Sequence, residues 1–218
     1  MTPPPARMLV VDDERNIRKN LSLVLEAEGY EVDVASDGES ALAKARERHY
    51  DIAFVDLHMP HMGGLDLTRS LRAFSEATAI VILTAYGSVE HAVAAMKLGA
   101  VDFLEKPFDP KNIRLLVEEI LLRQRLGSGA SVEELLHLAT LARERHAHIE
   151  ARMYLKSAML RDAARAEPFY WLGYLCELEG DVRQAVHYYY LAVEVDHSFQ
   201  LALDGLTRLG QRTFRSQT

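Results

Sequence analysis

The 218-residue chain contains a single cysteine, Cys176. One thiol excludes a disulfide within the chain and a cysteine metal cluster. Its place in a helical apolar pattern marks it as a small core residue. No run of 18 apolar residues occurs, which excludes a helical membrane span. The opening Met1-Thr2-Pro3-Pro4-Pro5 lacks the apolar stretch of a secretion signal, so a cytoplasmic location and no membrane partner are expected. Basic excess is also missing. Residues 1–125 hold 15 Lys+Arg against 20 Asp+Glu, and residues 126–218 hold 10 against 12. A segment that neutralises many phosphates needs the opposite balance, which counts against a nucleic-acid partner. No Gly-x-x-x-x-Gly-Lys loop is present, so an ATPase of that type is excluded.

Hydrophobic residues make up 49% and charged residues 26%, enough for a full-sized core in a soluble protein. The length suits one domain and a smaller second one. Over the first 125 residues two periods alternate. Short apolar runs at 8–11, 52–55, 79–83 and 101–104, with Val32 and Val34 alternating between the first two, read as five strands. Helical spacing marks 15–28, 39–48, 64–74, 88–98 and 110–125, with Gly29 and Gly99 as stops and Ser88 as a cap. Strands alternating with helices imply a doubly wound five-stranded parallel sheet with right-handed crossovers. Ligands of such a sheet bind beyond the carboxyl ends of its strands.

The polar residues lie at those ends. Asp12 and Asp13 follow the first strand, Asp56 the third, Thr84 the fourth and Lys106 the fifth. Three carboxylates make an oxygen-rich pocket of the kind that holds Mg²⁺ together with a phosphate oxygen. A carboxylate can also be the nucleophile that forms an aspartyl phosphate. The charge on a transferring phosphoryl group needs a cation and donors around it, which Lys106 and Thr84 supply. Lys106-Pro107 is a candidate cis peptide.

These residues carry a resemblance. Val10-Val11-Asp12-Asp13-Glu14, Val55-Asp56-Leu57-His58-Met59-Pro60 with Gly63-Gly64, Leu83-Thr84-Ala85-Tyr86-Gly87, and Asp102-Phe103-Leu104-Glu105-Lys106-Pro107-Phe108 resemble the flavodoxin-like receiver domain of two-component response regulators, the nitrogen-regulator class in particular. The resemblance implies that Asp56 accepts a phosphoryl group from a sensor histidine kinase or a phosphotransfer protein. It implies that Asp12, Asp13, Asp56 and the backbone carbonyl of His58 hold Mg²⁺, that Thr84 and Phe103 are switch residues, and that Lys106 pairs with the phosphoryl group. The chain would then be no enzyme beyond catalysing its own phosphorylation and dephosphorylation. His58 and Tyr86 follow Asp56 and Thr84 by two residues, where the family lines the path of the hydrolytic water; bulk there slows hydrolysis or merely shapes the rim. The resemblance also implies a phosphorylation-enhanced homodimer through residues 88–125.

Residues 126–131, with Gly127-Ser128-Gly129-Ala130, read as a linker. Beyond it every pattern is helical: 132–145, 148–163, 167–179, 182–195 and 199–212. An offset of 34 residues aligns Leu138 with Leu172, Ala139 with Gly173, Leu141 with Leu175, Ala151 with Ala185, Tyr154 with Tyr188, Ala158 with Ala192 and Asp162 with Asp196. Residues 132–218 resemble a tetratricopeptide-like α-helical repeat domain, with Phe169, Leu172, Gly173, Ala185, Tyr189 and Ala192 in one unit and His146 where glycine is usual in the other. That resemblance implies a protein partner. A bundle that only packs or dimerises, and a DNA-binding output without a visible recognition helix, remain the alternatives. His146 and His148 at a turn are a weak metal pair. Of Tyr188-Tyr189-Tyr190, at least one ring must leave the core.

Overall fold

The structure, a computed structural model, describes residues 5–85 and 94–215. The chain divides into two compact units, residues 1–120 and 121–218.

Up to Leu126 the chain runs β1 (Arg7–Val11), α1 (Arg15–Ala27), β2 (Glu31–Ala35), α2 (Gly38–Glu47), β3 (Ile52–Asp56), α3 (Gly64–Phe74), β4 (Ala79–Thr84), β5 (Asp102–Glu105) and α4 (Pro110–Leu126). Among the described residues five parallel strands form one sheet in the order β2-β1-β3-β4-β5. β3 and β4 are buried over their whole length, because helices cover both faces of a parallel sheet; this is why they read as unbroken apolar runs. The edge strand β2 is half-exposed, Val34 included, and its sequence alternates apolar with acidic residues instead. Gly29 (φ 86°) turns the chain out of α1, and the Asp37 side chain caps α2 by accepting from the Ser40 N–H at 2.8 Å. Residues 94–97 are helical and end at Gly99 (φ 91°). The expected helix start at Ser88 lies outside the described residues. Strand order reverses between β1 and β3, so the ends of these two strands flank the switch point of the sheet.

The second unit contains α5 (Val132–Glu144), α6 (His148–Arg161), α7 (Ala166–Leu178), α8 (Val182–Val195) and α9 (Gln200–Arg215). Both ends of α5 and α7, both ends of α6 and α8, and the starts of α7 and α9 are 34 residues apart. The turns repeat as well. His146 (φ 62°) and Gly180 (φ 80°) occupy the same left-handed position, which explains why glycine suits it. Asp162 and Asp196 cap the next turn identically, accepting from the N–H two residues on, at 2.9 and 2.8 Å. Positions aligned by the offset (Leu138, Ala139, Ala151, Ala158, Leu172, Ala185 and Ala192) are buried. Tyr189 is buried and Tyr190 is 58% exposed, which divides the tyrosine run as its helical spacing requires. The Tyr189 ring lies between two glycines: a Cβ on Gly173 or Gly205 would sit 2.7 Å from it. Its hydroxyl donates to Glu177 Oε2 at 2.8 Å.

The expected linker is not slack. Residues 127–129 form a 3₁₀ turn, and Ser131 with Glu134 makes a capping box on α5. The units divide at 120/121 rather than at 125, because Leu122 and Leu126 on the last turns of α4 pack with Ala130, Leu135, Leu138 and Ala158. No described helix is long and apolar enough to cross a membrane.

Candidate functional site

The loop after β1 carries Asp12, wholly buried, and Asp13, exposed. Asp12 is fixed by its backbone N–H, which donates to Ala35 O at 3.2 Å, and by the Glu14 N–H, which donates to its Oδ1 at 2.9 Å. Asp56 ends β3, is 4% exposed, and accepts the His58 N–H on Oδ2 at 3.0 Å. The helix α3 starts close behind it. A Cβ on Gly64 would stand 2.2 Å from Asp56 O, so only glycine allows this approach of backbone to backbone.

Lys106, at the end of β5, reaches across the strand ends. Its Nζ is 2.7 Å from Asp12 Oδ2, 2.8 Å from Asp56 Oδ1 and 3.5 Å from Glu14 Oε1. Its backbone N–H donates to Thr84 O at 2.7 Å, which ties β5 to the buried end of β4. The Lys106–Pro107 peptide is cis. Carboxylate oxygens of Asp12, Asp13 and Asp56 all lie within 4.8 Å of one another, and among the described residues this is the one group of three or more such side chains placed to hold a metal. His146 and His148, with ring centroids 6.2 Å apart, are not part of one.

Burial pushes the Asp12 carboxyl above its ordinary value, and the Asp56 charge adds to this, against the opposing pull of Lys106 and the Glu14 N–H. Burial alone would lower the Lys106 ammonium, but Asp12 and Asp56 outweigh it and hold the pKa above its ordinary value, so the lysine stays charged. Asp12 Oδ2 is close to this ammonium yet accepts no well-angled hydrogen bond. The 2.7 Å contact is therefore an ion pair, and a fully buried carboxylate oxygen is left with coordination to spare. An oxygen-ligated cation fits that oxygen and the two neighbouring carboxylates.

Sequence reasoning therefore found residues that the fold does gather: Asp12, Asp13, Asp56 and Lys106 by side chain, and Thr84 beside them through its strand. Phe103 on β5 is 43% exposed. Tyr86 lies outside the described residues. Two contributors were missed. Glu14 approaches Lys106 from 92 residues away, and Arg18 donates from Nη1 to Asp12 O at 2.6 Å and Asp13 O at 2.9 Å. A signal for Arg18 was available: α1 has no acid in its first turn, where the helix dipole favours one, and carries Arg15 and Arg18 instead.

The profile of the response regulator receiver domain matches residues 8–118. The chain belongs to the response regulator receiver family. Regulatory protein AtoC of Escherichia coli (strain K12) is 37% identical over 120 residues, covering 55% of this chain and 26% of AtoC. Transcriptional regulatory protein ResD of Bacillus subtilis (strain 168) is 40% identical over 117 residues, covering 54% of this chain and 48% of ResD. The chain thus spans half or less of the length of these relatives. Among solved structures, chemotaxis protein CheY4 of Vibrio cholerae superposes with a TM-score of 0.52 at 36% identity, over 53% of this chain and 98% of that one. NtrX of Brucella abortus does so with 0.54 at 35%, over 56% and 28%. The receiver assignment fits the strand order and the carboxylate cluster, and the helices from α5 to α9 lie outside the matched residues.

Proposed function

We propose that the chain is a phosphorylation-controlled regulator. In this reading a sensor histidine kinase or a phosphotransfer protein donates a phosphoryl group to Asp56, and the change of state controls a protein-interaction module built from α5 to α9. The observation that carries it is the bridge of Lys106 between two buried carboxylates, one with an oxygen still lacking a well-formed hydrogen bond. Asp12, Asp13 and Asp56, with the His58 carbonyl, would hold Mg²⁺, which when bound neutralises phosphoryl oxygens. An Asp56 carboxylate oxygen attacks the phosphorus, the P–N bond to the donor imidazole breaks, and the imidazole leaves with the electron pair. Lys106 offsets charge on the transferred group and Thr84 offers it a hydroxyl donor. The protein would act only on itself, in the cytoplasm.

The 34-residue recurrence of helix ends, turns and buried positions supports a tetratricopeptide-like reading of the helical unit. The test is intact mass after treatment with phosphoramidate and Mg²⁺. A phosphoryl adduct is expected on the wild type and none on Asp56→Asn; an adduct on both, or on neither, refutes the assignment of Asp56. A second reading, a DNA-binding output, is favoured by the naming of ResD as a transcriptional regulatory protein. A salt-sensitive mobility shift of duplex DNA by the full chain would establish it.

A further inference from the structure

We infer that Arg18 is a positioning residue for divalent-cation binding at the carboxylate cluster, acting through the backbone that carries Asp12 and Asp13. The inference rests on the metal site proposed above. Arg18 stands on the first turn of α1, and its Nη1 reaches back over the loop to accept a place between two carbonyl oxygens, donating to Asp12 O at 2.6 Å and to Asp13 O at 2.9 Å.

The two aspartates differ in how they are held. Asp12 is pinned by Ala35 O through its N–H, by the Glu14 N–H on Oδ1 and by the Lys106 ammonium on Oδ2. Asp13 is exposed, and among the described residues its carboxylate makes no hydrogen bond or ion pair. The direction of that carboxylate therefore depends on the backbone beneath it, and the guanidinium is what clamps its carbonyl. A cation site with near-ideal octahedral demands is sensitive to such support, and loss of an outer hydrogen bond to a ligand group characteristically lowers affinity about 10- to 100-fold.

Charge makes the inference sharp. A guanidinium held on the backbone that carries two of the three carboxylates repels an incoming dication, so as a point charge Arg18 weakens metal binding. As a clamp it strengthens it. The two roles predict opposite signs for the same substitution. Arg18→Gln removes the cation and both strong donations; Arg18→Lys keeps the cation and a donor at similar reach.

The experiment is calorimetric titration of the full chain with Mg²⁺ alone, repeated with Mn²⁺ followed by electron paramagnetic resonance, with the metal-free thermal midpoint measured on each variant. The expected result is a dissociation constant raised about 10-fold in Arg18→Gln, most of the affinity restored in Arg18→Lys, and metal-free midpoints close to wild type. Tighter or unchanged binding by Arg18→Gln overturns the inference. Should Arg18→Gln fail to fold, binding by Arg18→Lys no better than that of a variant lacking Asp13 overturns it as well. If the wild type itself binds neither ion, the proposed metal site falls, and the role of Arg18 falls with it.

Discussion

Replacing Gly173 by alanine tests the packing of the helical unit through the sign of the effect. Within a helix, Gly→Ala ordinarily stabilises by about 1 kcal/mol, because alanine loses less backbone entropy. At Gly173 the new methyl would stand 2.7 Å from Tyr189 Cδ1 and Cε1 and 3.2 Å from Ala185 O. The ring has little room to yield: it is fully buried, and on its other side it packs so near the Gly205 backbone that a Cβ there would also stand 2.7 Å from it. Overpacking of this kind costs about 1–3 kcal/mol, and with the propensity gain subtracted a net loss of about 1 kcal/mol is expected. At a urea m-value of about 2 kcal/mol/M this lowers the midpoint by about 0.5 M. Trp171 is the one tryptophan of the chain and lies two residues from the site, so its fluorescence follows the helical unit alone. Gly210→Ala is the control, since nothing lies within 4 Å of a Cβ there; it is expected to raise the midpoint. In the preceding repeat the corresponding pair is Ala139 and Leu155, both buried. The loss caused by Gly173→Ala should accordingly shrink in the Tyr189→Leu background, where the smaller side chain leaves room for the methyl. A Gly173→Ala midpoint at or above wild type would refute the reasoning.

Three further outcomes are expected. Lys106→Met leaves Asp12 and Asp56 as buried charges without their shared cation and should cost about 3 kcal/mol in chelator, part of it recovered with Mg²⁺; equal melting of variant and wild type in chelator would count against the ion-pair assignment. If the His58 side chain slows loss of the phosphoryl group, His58→Ala dephosphorylates faster than wild type, measured by the decay of the mass adduct, and an unchanged rate removes His58 from that role. Hydrogen bonding from Arg165 is the main cause holding the Glu167 carboxyl below its ordinary 4.5. A lowered acid contributes stability above its unfolded value and loses it as pH falls through the folded one. The difference in melting temperature between wild type and Arg165→Ala should therefore be largest at neutral pH and close as the pH falls below about 4.5; a constant difference across that range would contradict the pairing.

Most of the receiver fold was legible because its strands are short and stopped by turn residues, and the central ones are buried on both faces. Periodicity therefore placed Ile52–Asp56 and Ala79–Thr84 within a residue of their ends. The site was legible for a related reason: its side chains stand at strand ends, so reading the strands located Asp12, Asp56, Thr84 and Lys106 together. Contacts that depend on a helix reaching back over a loop leave no periodic trace, and the hold of Arg18 on the Asp12 and Asp13 carbonyls is of this kind. The pairing of Glu14 with Lys106 spans 92 residues and follows only from the strand order. In the helical unit the 34-residue offset located the buried positions, because the same helix contact recurs. It did not reveal Gly205, which confines Tyr189 from α9 and has no aligned glycine at 171, where Trp171 stands. The unit boundary shifted because the amphipathic pattern of α4 runs on past residue 120 without a break and gives no sign that Leu122 and Leu126 serve a different core.

The shared phase of the helices from α5 to α9 constrains the lengths this chain can tolerate over evolutionary time. The aspartate caps at 162 and 196, the left-handed turns at 146 and 180 and the buried alanines at 151/185 and 158/192 recur at one interval, so a duplication or loss of 34 residues at the Asp162 turn would bring each of these features to an equivalent place. A change of five residues inside α8, between Ala185 and Ala192, would instead turn one of these buried alanines about 140° away from the other's face. Descendants of this chain are thus expected to differ by whole repeats in the helical unit, whereas the receiver, whose five site residues come from four separate strand ends, admits no such step.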